Sequence, residues 1–518
     1  MPPDFTQRGC VLVQIDALPR DVLAAAIDKR KMPFVASLMR GRGFTVAPLR
    51  PGIPCTTPSF QAALFYGTRG DIPGFRWLDR KTGETTWFLQ MDDATRIEQE
   101  QLSHLPGLMA GGSVWMTIFT GGADHTSFTT SAVRPGRAPS RLRNMWILLA
   151  STVTGFLRLL RRTIVEWSLE SLDAVRSYLR RDPWRGRTQF FIRAMANVVA
   201  NNMASLGVRE AIRDGEPKIA INYLGYDKAC HLRGRSHPYA IWTLRQIDRE
   251  IRKIHRAIRR TKKRDYDLYV FSDHGVVASL PLKQIEGVGL EGYLNGEEPK
   301  PWKGLRTREQ SGFEWRGVIE LLGDMVLYLP GLAMRILGGL GKRIAVMAGR
   351  ALPGETRRRR TGATVRPTGG LAHVYLAGTE APLTIDEIND RDPELVARLR
   401  DCPYVAHSFA RTTKDGSLWW MPQGQDGLEV GPGQSPPDMT SWETSEIRRM
   451  LTMEHAGDFV CLAARHGSGP VYNFLDEYAA HGGLEPEEQD AFVIHPPGCS
   501  PDGPSPEAFH RLLAGLYG

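Results

Sequence analysis

The chain has 518 residues, enough for one large α/β domain with insertions or for two or three domains, and its composition gives no sign of disorder. Its formal net charge is +9, and the basic excess is concentrated in particular stretches. The six cysteines form no Cys-x-x-Cys pair and look like reduced, packed thiols, which favours a reducing compartment.

The first predicted element is a β-strand, Cys10 to Ile15, which ends on Asp16. The few residues before it leave no room for a secretory signal. The longest apolar stretch, Met145 to Leu157, is shorter than the roughly 20 residues that cross a bilayer. We therefore expect a cytoplasmic protein without a transmembrane helix, with peripheral binding to the inner membrane face as an option.

The second element is an apolar helix that begins at Thr57, has Pro58 in its first turn and ends at Gly67. A hydroxyl at a helix start lies beside free backbone N–H groups, which bind phosphate and favour an alkoxide. Such a dipeptide is more often an ordinary helix cap. Its position after a strand that ends in Asp16 favours Thr57 as a nucleophile.

Two basic stretches with helical patterning separate the core segments. The first, Arg134 to about Asn202, holds thirteen arginines, and the second, Gly317 to Arg366, ends in the run Arg357 to Arg360. Basic and apolar helices too short to span a bilayer are typical of interfacial membrane anchors, although solvated helical subdomains show the same pattern. No motif for nucleic-acid recognition is present.

Two more strands end near acidic and imidazole groups. Lys218 to Gly225 precedes Asp227 and His231, and Asp265 to Phe271 precedes Asp273 and His274. In open α/β sheets the carboxyl ends of the strands meet at the ligand site, so these groups should converge. Oxygen and nitrogen ligands suit zinc or manganese, and six or seven of them exceed what one zinc takes. The sequence therefore predicts a two-metal site for hydrolysis at phosphorus.

The ordered set of motifs resembles the alkaline phosphatase superfamily, in particular its type I phosphodiesterase and nucleotide pyrophosphatase branch. The motifs are Asp16, Thr57 ten residues before Gly67, Asp227-x-x-x-His231, Asp273-His274-Gly275 and a late His-Gly. The resemblance covers the core segments and implies an alkaline-phosphatase-like three-layer α/β sandwich, with a central, mostly parallel sheet and two basic helical insertions. The expected segments are core 1–133, basic helical insertion 134–215, core 216–300, basic amphipathic insertion 301–367 and core 368–518.

The resemblance also implies roles for the site residues. One zinc would be held by Asp16, Asp273 and His274 and would activate Thr57, which is itself a ligand. The other would be held by Asp227, His231 and a late histidine, and would activate the water that hydrolyses a phosphothreonine. His481, which precedes Gly482, is the preferred late ligand, and His373 is the alternative.

Two further residues enter by comparison with relatives. Gln61 is a candidate for binding substrate, because sulfatase relatives hold a phosphate- or sulfate-binding arginine at the fourth position after the nucleophile. Thr56 is the alternative nucleophile; it restores a Thr-x-Pro pattern but lengthens the spacing to Gly67 to eleven residues. The sulfatase cassette itself is missing.

The expected function is a metal-dependent phosphodiesterase or pyrophosphatase. No arginine lies near Thr57 to hold a doubly charged terminal phosphate, which favours diesters. The expected partners are a phosphodiester substrate and an anionic membrane surface. The alternatives are a phosphomonoesterase of the same fold and a non-catalytic, membrane-associated binding protein that keeps the fold.

Overall fold

The computed structural model describes residues 8–132, 189–299 and 362–518, together with single helical positions between 157 and 175. The strands are, in chain order, β1 (Gly9–Ile15), β2 (Thr45–Leu49), β3 (Arg76–Leu78), β4 (Thr85–Trp87), β5 (Ser113–Trp115), β6 (His125–Ser127), β7 (Lys218–Tyr223), β8 (Tyr266–Phe271), β9 (Val277–Pro281), β10 (Ala363–Thr368), β11 (Leu371–Leu376), β12 (Val405–Arg411), β13 (Leu418–Pro422), β14 (Leu428–Val430), β15 (Phe459–Ala463), β16 (Val471–Asn473), β17 (Ala479–Ala480) and β18 (Ala491–His495).

The α-helices numbered below are α1 (Arg20–Asp28), α2 (Pro33–Gly41), α3 (Thr57–Tyr66), α4 (Met91–Ile97), α5 (Gln189–Asp214), α6 (Gly225–Arg233), α7 (Pro238–Ile258), α8 (Leu282–Glu286), α9 (Leu290–Leu294), α10 (Ile385–Arg391), α11 (Pro393–Arg400), α12 (Ser441–Leu451) and α13 (Pro506–Tyr517). A π-helical turn (Glu98–Leu102) follows α4, and a 3-10 turn (Thr130–Ala132) follows β6. None of the described helices combines the length and the apolar character that crossing a bilayer requires.

Seven strands form the central sheet in the order β2-β18-β8-β1-β7-β5-β6. The five strands from β8 to β6 pair in parallel, whereas β18 runs antiparallel to both of its neighbours. Strands β1, β7 and β8 are buried along their whole length, as expected of parallel strands that are covered on both faces. The predicted central, mostly parallel sheet is confirmed.

Helices cover both faces of this sheet, because successive side chains of a strand point to opposite sides. In β1, Val11, Val13 and Ile15 join one apolar core, whereas Cys10 and Leu12 join another. Helices α1, α2, α5, α6 and α7 contribute to the first core, and α3, α4 and α13 contribute to the second. The chain therefore forms the predicted three-layer sandwich.

A second, antiparallel sheet has the order β10-β11-β15-β12-β13-β14. Helices α9, α10 and α11 pack against one side of it, and α12 packs against the other. A small sheet, β16-β9-β17, lies beside the candidate site, since β9 follows Gly275 and β17 directly precedes His481. This small sheet thereby helps to position the last part of the site.

The two predicted insertions are described mainly at their edges. Helix α5 falls entirely within residues 134–215, and its second half packs into the first core through Ala204, Val208 and Ile212. Strand β10 begins within residues 301–367. Most of both stretches lies outside the described residues, so the segment boundaries remain predictions.

A buried ion pair joins the loop after β3 to the second sheet. Arg80 Nη2 lies 2.9 Å from Asp458 Oδ1, and the two side chains are 3% and 0% exposed. The same carboxylate accepts hydrogen bonds from the backbone N–H groups of Leu376 at 2.7 Å and Leu383 at 2.9 Å. A buried pair of this kind stabilises the fold only while both partners are present.

We expect Asp458→Ala to lower the free energy of unfolding by about 3–5 kcal/mol, because it leaves the Arg80 charge buried and uncompensated. The matched control is Glu454→Ala, which removes an exposed carboxylate 2.8 Å from Lys81 Nζ and should change stability little. Urea denaturation followed by circular dichroism measures both variants. Equal losses in the two would contradict a structural role for the buried pair.

Candidate metal centre

Three acidic residues meet at one edge of the central sheet. Asp16 directly follows β1, Asp273 lies two residues beyond β8, and Asp227 lies in α6, which follows β7. The strands β8, β1 and β7 are neighbours and run in parallel, so their carboxyl ends lie side by side. The three acidic residues therefore lie close together, as their positions at strand ends predicted, because the sheet places those strand ends next to one another.

The first cluster, called here the inner group, consists of Asp16, Asp273 and His274. One possible ligand atom from each lies within 4.8 Å of the others, and all three residues are buried. His274 Nε2 is 3.4 Å from Asp273 Oδ2 and 3.8 Å from Asp16 Oδ1. Two carboxylates and one imidazole at this spacing form a three-ligand group able to bind a divalent metal ion.

The second cluster, called here the outer group, consists of Asp227, His231 and His481. Asp227 Oδ1 lies 3.0 Å from His231 Nε2 and 3.9 Å from His481 Nε2. Asp227 and His231 are four residues apart on α6 and so share one of its faces. Their side chains and that of His481 are 13–19% exposed, so this group is more open to solvent than the inner one.

The two groups are adjacent. The rings of His274 and His481 stack with their centroids 4.1 Å apart, and those of His231 and His481 are 5.1 Å apart. The position of His481 depends on a close backbone approach, since a Cβ at Gly369 would lie 2.1 Å from the His481 carbonyl oxygen. The two groups of candidate ligands therefore lie side by side.

All three histidines present the same ring nitrogen to the centre. Their Nδ1 atoms lie close to backbone carbonyl oxygens, at 3.0 Å for His274 and Gly275, 3.0 Å for His231 and Ala479, and 2.9 Å for His481 and Cys55. Only an N–H group can donate to a carbonyl, so Nδ1 carries a proton in each ring and Nε2 is the nitrogen that faces the centre.

The carboxylates are also oriented. Asn222 Nδ2 donates to Asp16 Oδ2 at 2.8 Å, and the backbone N–H of Ala17 donates to Asp273 Oδ1 at 3.1 Å. By contrast, Asp273 Oδ2 and Asp227 Oδ1 are buried oxygen atoms that accept no hydrogen bond within the described chain. Buried acceptors without a donor are costly, and a divalent cation would satisfy both atoms.

The electrostatics of the centre favour a cation. Burial, together with the charges of Asp273 and Asp227, raises the pKa of Asp16 well above its ordinary value. Burial raises the pKa of Asp273 to about 6. Burial also lowers the pKa of His274 to about 4 and, with the neighbouring histidines, that of His481 to about 3. The imidazoles of His274 and His481 are therefore neutral at pH 7 and able to bind metal. At His231, burial is outweighed by the charges of Asp227 and Glu477, which raise the pKa of this imidazole well above its ordinary value.

Thr57 lies beside the inner group. It is the first residue of α3, and its Oγ1 is 3.3 Å from His274 Nε2 and 3.4 Å from Asp16 Oδ1. All ten residues of α3 are buried, so the helix start is held rigidly at the sheet edge. The alternative nucleophile, Thr56, precedes the helix, and its buried Oγ1 has no partner within the described chain.

Two predicted residues are not brought to the centre. Gln61 is fully buried; its Nε2 donates to Gln14 Oε1 at 3.0 Å, and its Oε1 accepts from the backbone N–H of Ile118 at 2.8 Å. His373 lies in β11, where Nε2 donates to the Pro73 carbonyl at 2.8 Å and Nδ1 accepts from the Gly457 N–H at 3.1 Å. Both side chains are engaged in hydrogen bonds within the protein.

Two residues that contact the ligand groups were not predicted. Asn222, described above, occupies the position in β7 that pairs in register with Gln14 of β1. The sequence signal that could have identified Asn222 is that both apolar strands carry a polar residue at this paired position. The other is Glu477, whose Oε2 lies 3.0 Å from His231 Nδ1. No spacing rule connects Glu477 to His231 along the sequence.

Comparison with known proteins places these observations in a family. The type I phosphodiesterase / nucleotide pyrophosphatase profile matches residues 10–325, a range that includes Thr57 and every ligand candidate except His481. Similar solved structures include phosphonoacetate hydrolase from Sinorhizobium meliloti 1021 in complex with phosphonoformate, at 15% identity and a TM-score of 0.48, covering 99% of this chain and 96% of that one. Murine ectonucleotide pyrophosphatase / phosphodiesterase 5 is also similar, at 11% identity and a TM-score of 0.46, covering 98% and 95%. No curated protein sequence matches the chain significantly.

We expect His481→Ala to reduce the metal content of the purified protein from about two ions per chain to about one, because it removes a ligand from the outer group only. His373→Ala is the control; it should lower thermal stability and leave the metal content unchanged. Inductively coupled plasma mass spectrometry measures the content. Retention of both ions in His481→Ala would show that another residue completes the outer group.

Proposed function

Because the chain belongs to the type I phosphodiesterase / nucleotide pyrophosphatase family, we propose that it hydrolyses phosphodiester or pyrophosphate bonds through a phosphothreonine at a two-metal centre. The family assignment makes it a hydrolase of phosphoric ester bonds. The proposal adds the ligands, the nucleophile and the preference for diesters. The metal is proposed to be zinc, with manganese as the alternative, because the ligands are carboxylate oxygens and imidazole nitrogens.

The position of Thr57 supports this proposal most directly. Its hydroxyl lies within 3.4 Å of two inner-group side chains and at the start of α3, where backbone N–H groups can contact a phosphate. The outer group lies next to it, through the stacked rings of His274 and His481. A phosphate ester seated over Thr57 would therefore contact both groups.

The proposed reaction has two steps. Divalent metal ions bound by the two groups would favour the ionised forms of the threonine hydroxyl and of water, and would neutralise charge on the phosphate. In the first step the bond from Thr57 Oγ1 to phosphorus forms as the bond to the leaving alcohol breaks, and the alcohol takes up the hydroxyl proton. In the second step water attacks phosphorus, Thr57 recovers its proton, and a phosphate monoester is released.

The preference for diesters rests on charge. The segment Pro54 to Gly67, which carries Thr57, contains no lysine or arginine. The next basic residue, Arg69, pairs with Glu446 at 2.5 Å and Glu507 at 2.8 Å. A terminal phosphate with two negative charges would need a further cation, whereas a diester carries only one charge at the reacting phosphorus.

We expect Thr57→Ala to lower kcat on bis-p-nitrophenyl phosphate by at least about 10³-fold, because the nucleophile is lost. The control is Thr56→Ala, which should keep most of the activity. Wild-type protein should cleave p-nitrophenyl phosphate less efficiently than the diester. The opposite preference would favour a phosphomonoesterase, and a metal-free protein without activity would favour a non-catalytic binding protein.

We further propose that the enzyme binds an anionic membrane surface from the cytoplasmic side. Seven large apolar side chains at helical positions between 157 and 175 are 40–56% exposed: Leu157, Leu160, Ile164, Val165, Trp167, Leu172 and Val175. The thirteen arginines between 134 and 202 outnumber four acidic residues there, so this stretch attracts anionic headgroups and repels a second copy of itself. All six cysteines are free, which fits a reducing compartment.

We expect the protein to sediment with vesicles that contain phosphatidylglycerol and much less with pure phosphatidylcholine. Ile164→Glu should lower the partition coefficient about tenfold or more, because burying one such side chain contributes about 1.5–3 kcal/mol. Leu428→Glu, at a leucine of β14 that is 48% exposed, is the control and should have little effect. Equal binding to both kinds of vesicle would count against the membrane proposal.

A further inference from the structure

The outer group differs from the inner group in its number of carboxylates. The inner group has two, on Asp16 and Asp273, whereas the outer group has only Asp227. A second carboxylate lies directly behind the outer group, because Glu477 Oε2 is 3.0 Å from His231 Nδ1. The Glu477 side chain is 28% exposed, and it lies on the side of the His231 ring that faces away from Asp227.

His231 is distinguished by this contact from the other two histidines of the centre. The Nδ1 atoms of His274 and His481 contact the neutral backbone carbonyls of Gly275 and Cys55. His231 Nδ1 contacts the Ala479 carbonyl at 3.0 Å and, in addition, the Glu477 carboxylate at the same distance. Within the described residues the structure records no carboxylate contact at the Nδ1 atom of either of the other two.

The backbone around Glu477 is held independently of its carboxylate. Its carbonyl oxygen accepts hydrogen bonds from Ser279 Oγ at 3.2 Å and from Asn473 Nδ2 at 3.3 Å. The next N–H, that of Tyr478, donates to the His231 carbonyl at 2.9 Å. The loop is thereby attached to β9, β16 and α6, so the carboxylate meets His231 without having to be ordered by a metal.

A carboxylate that accepts from the far N–H of a ligating imidazole fixes the ring and increases the basicity of the ligating nitrogen. We propose that Glu477 is a positioning residue that holds His231 and sets the affinity of the outer group for its divalent ion. This inference rests on the proposed function, in which the outer group binds metal. With Glu477 counted, each group has two carboxylates to balance the charge of one divalent ion.

The test separates positioning from charge. Glu477→Gln keeps the shape and an oxygen that can accept from Nδ1 but loses the charge, whereas Glu477→Ala loses both. Zinc affinity of the full chain is measured by competition with a chromophoric chelator. We expect one strong site to be unchanged and the other to weaken about 10- to 100-fold in Glu477→Ala, with Glu477→Gln in between. Glu454→Gln, which removes an exposed surface carboxylate, should match wild type.

A second measurement controls for a purely structural role. The rise in Tm on adding zinc should be smaller in both Glu477 variants than in wild type, even where their metal-free Tm values differ. Unchanged affinities, or equal weakening of both sites, would overturn the inference and leave the two-metal proposal standing. A wild-type protein that binds no zinc would overturn the proposed function itself, and the inference with it.

Discussion

Gathering three carboxylates in a buried place costs free energy, because each loses hydration and repels the others. The parallel pairing of β8, β1 and β7 leaves no alternative, since it brings the ends of these strands, and so Asp273, Asp16 and Asp227, together. The raised pKa of Asp16, caused first by burial and then by the charges of Asp273 and Asp227, is one sign of these costs. Two buried carboxylate oxygens without hydrogen-bond donors are another. A positive charge placed among the carboxylates would offset both the lost hydration and the repulsion.

The surrounding chain is arranged so that the ligands need little movement. Each histidine is oriented by a contact at Nδ1, while Asn222 Nδ2 donates to Asp16 Oδ2 and the backbone N–H of Ala17 donates to Asp273 Oδ1. Such preorganisation reduces the reorganisation required at each catalytic cycle. The second sheet and the small sheet contribute by holding the segment that carries His481. The functional site therefore depends on parts of the chain that lie more than four hundred residues apart.

The sequence supported the central features because they follow from local patterns. Apolar runs ending in Asp16 and Asp273 predicted buried parallel strands, and parallel strands bring their ends together. The start of α3 at Thr57 followed from the Thr-Pro dipeptide and Gly67. Gln61 illustrates where such patterns stop. Its spacing from Thr57 suggested that it binds the phosphate. In the structure, however, the Gln61 side chain forms hydrogen bonds with Gln14 on β1 and with a backbone N–H in a distant loop. Glu477 meets His231 through a similar long-range contact. The antiparallel second sheet was likewise not predicted, because its pairings depend on tertiary packing.

The complete burial of α3 has a consequence for how this enzyme can diversify. All ten residues of this helix are buried, so it has no exposed position where a substitution could be accommodated without changing the packing. Any change of volume along it would be transmitted to the hydroxyl at its first residue. The proposed nucleophile, Thr57, therefore lies in a part of the chain that tolerates few substitutions. We expect substitutions that alter substrate preference to lie in the loops around the centre and not in α3.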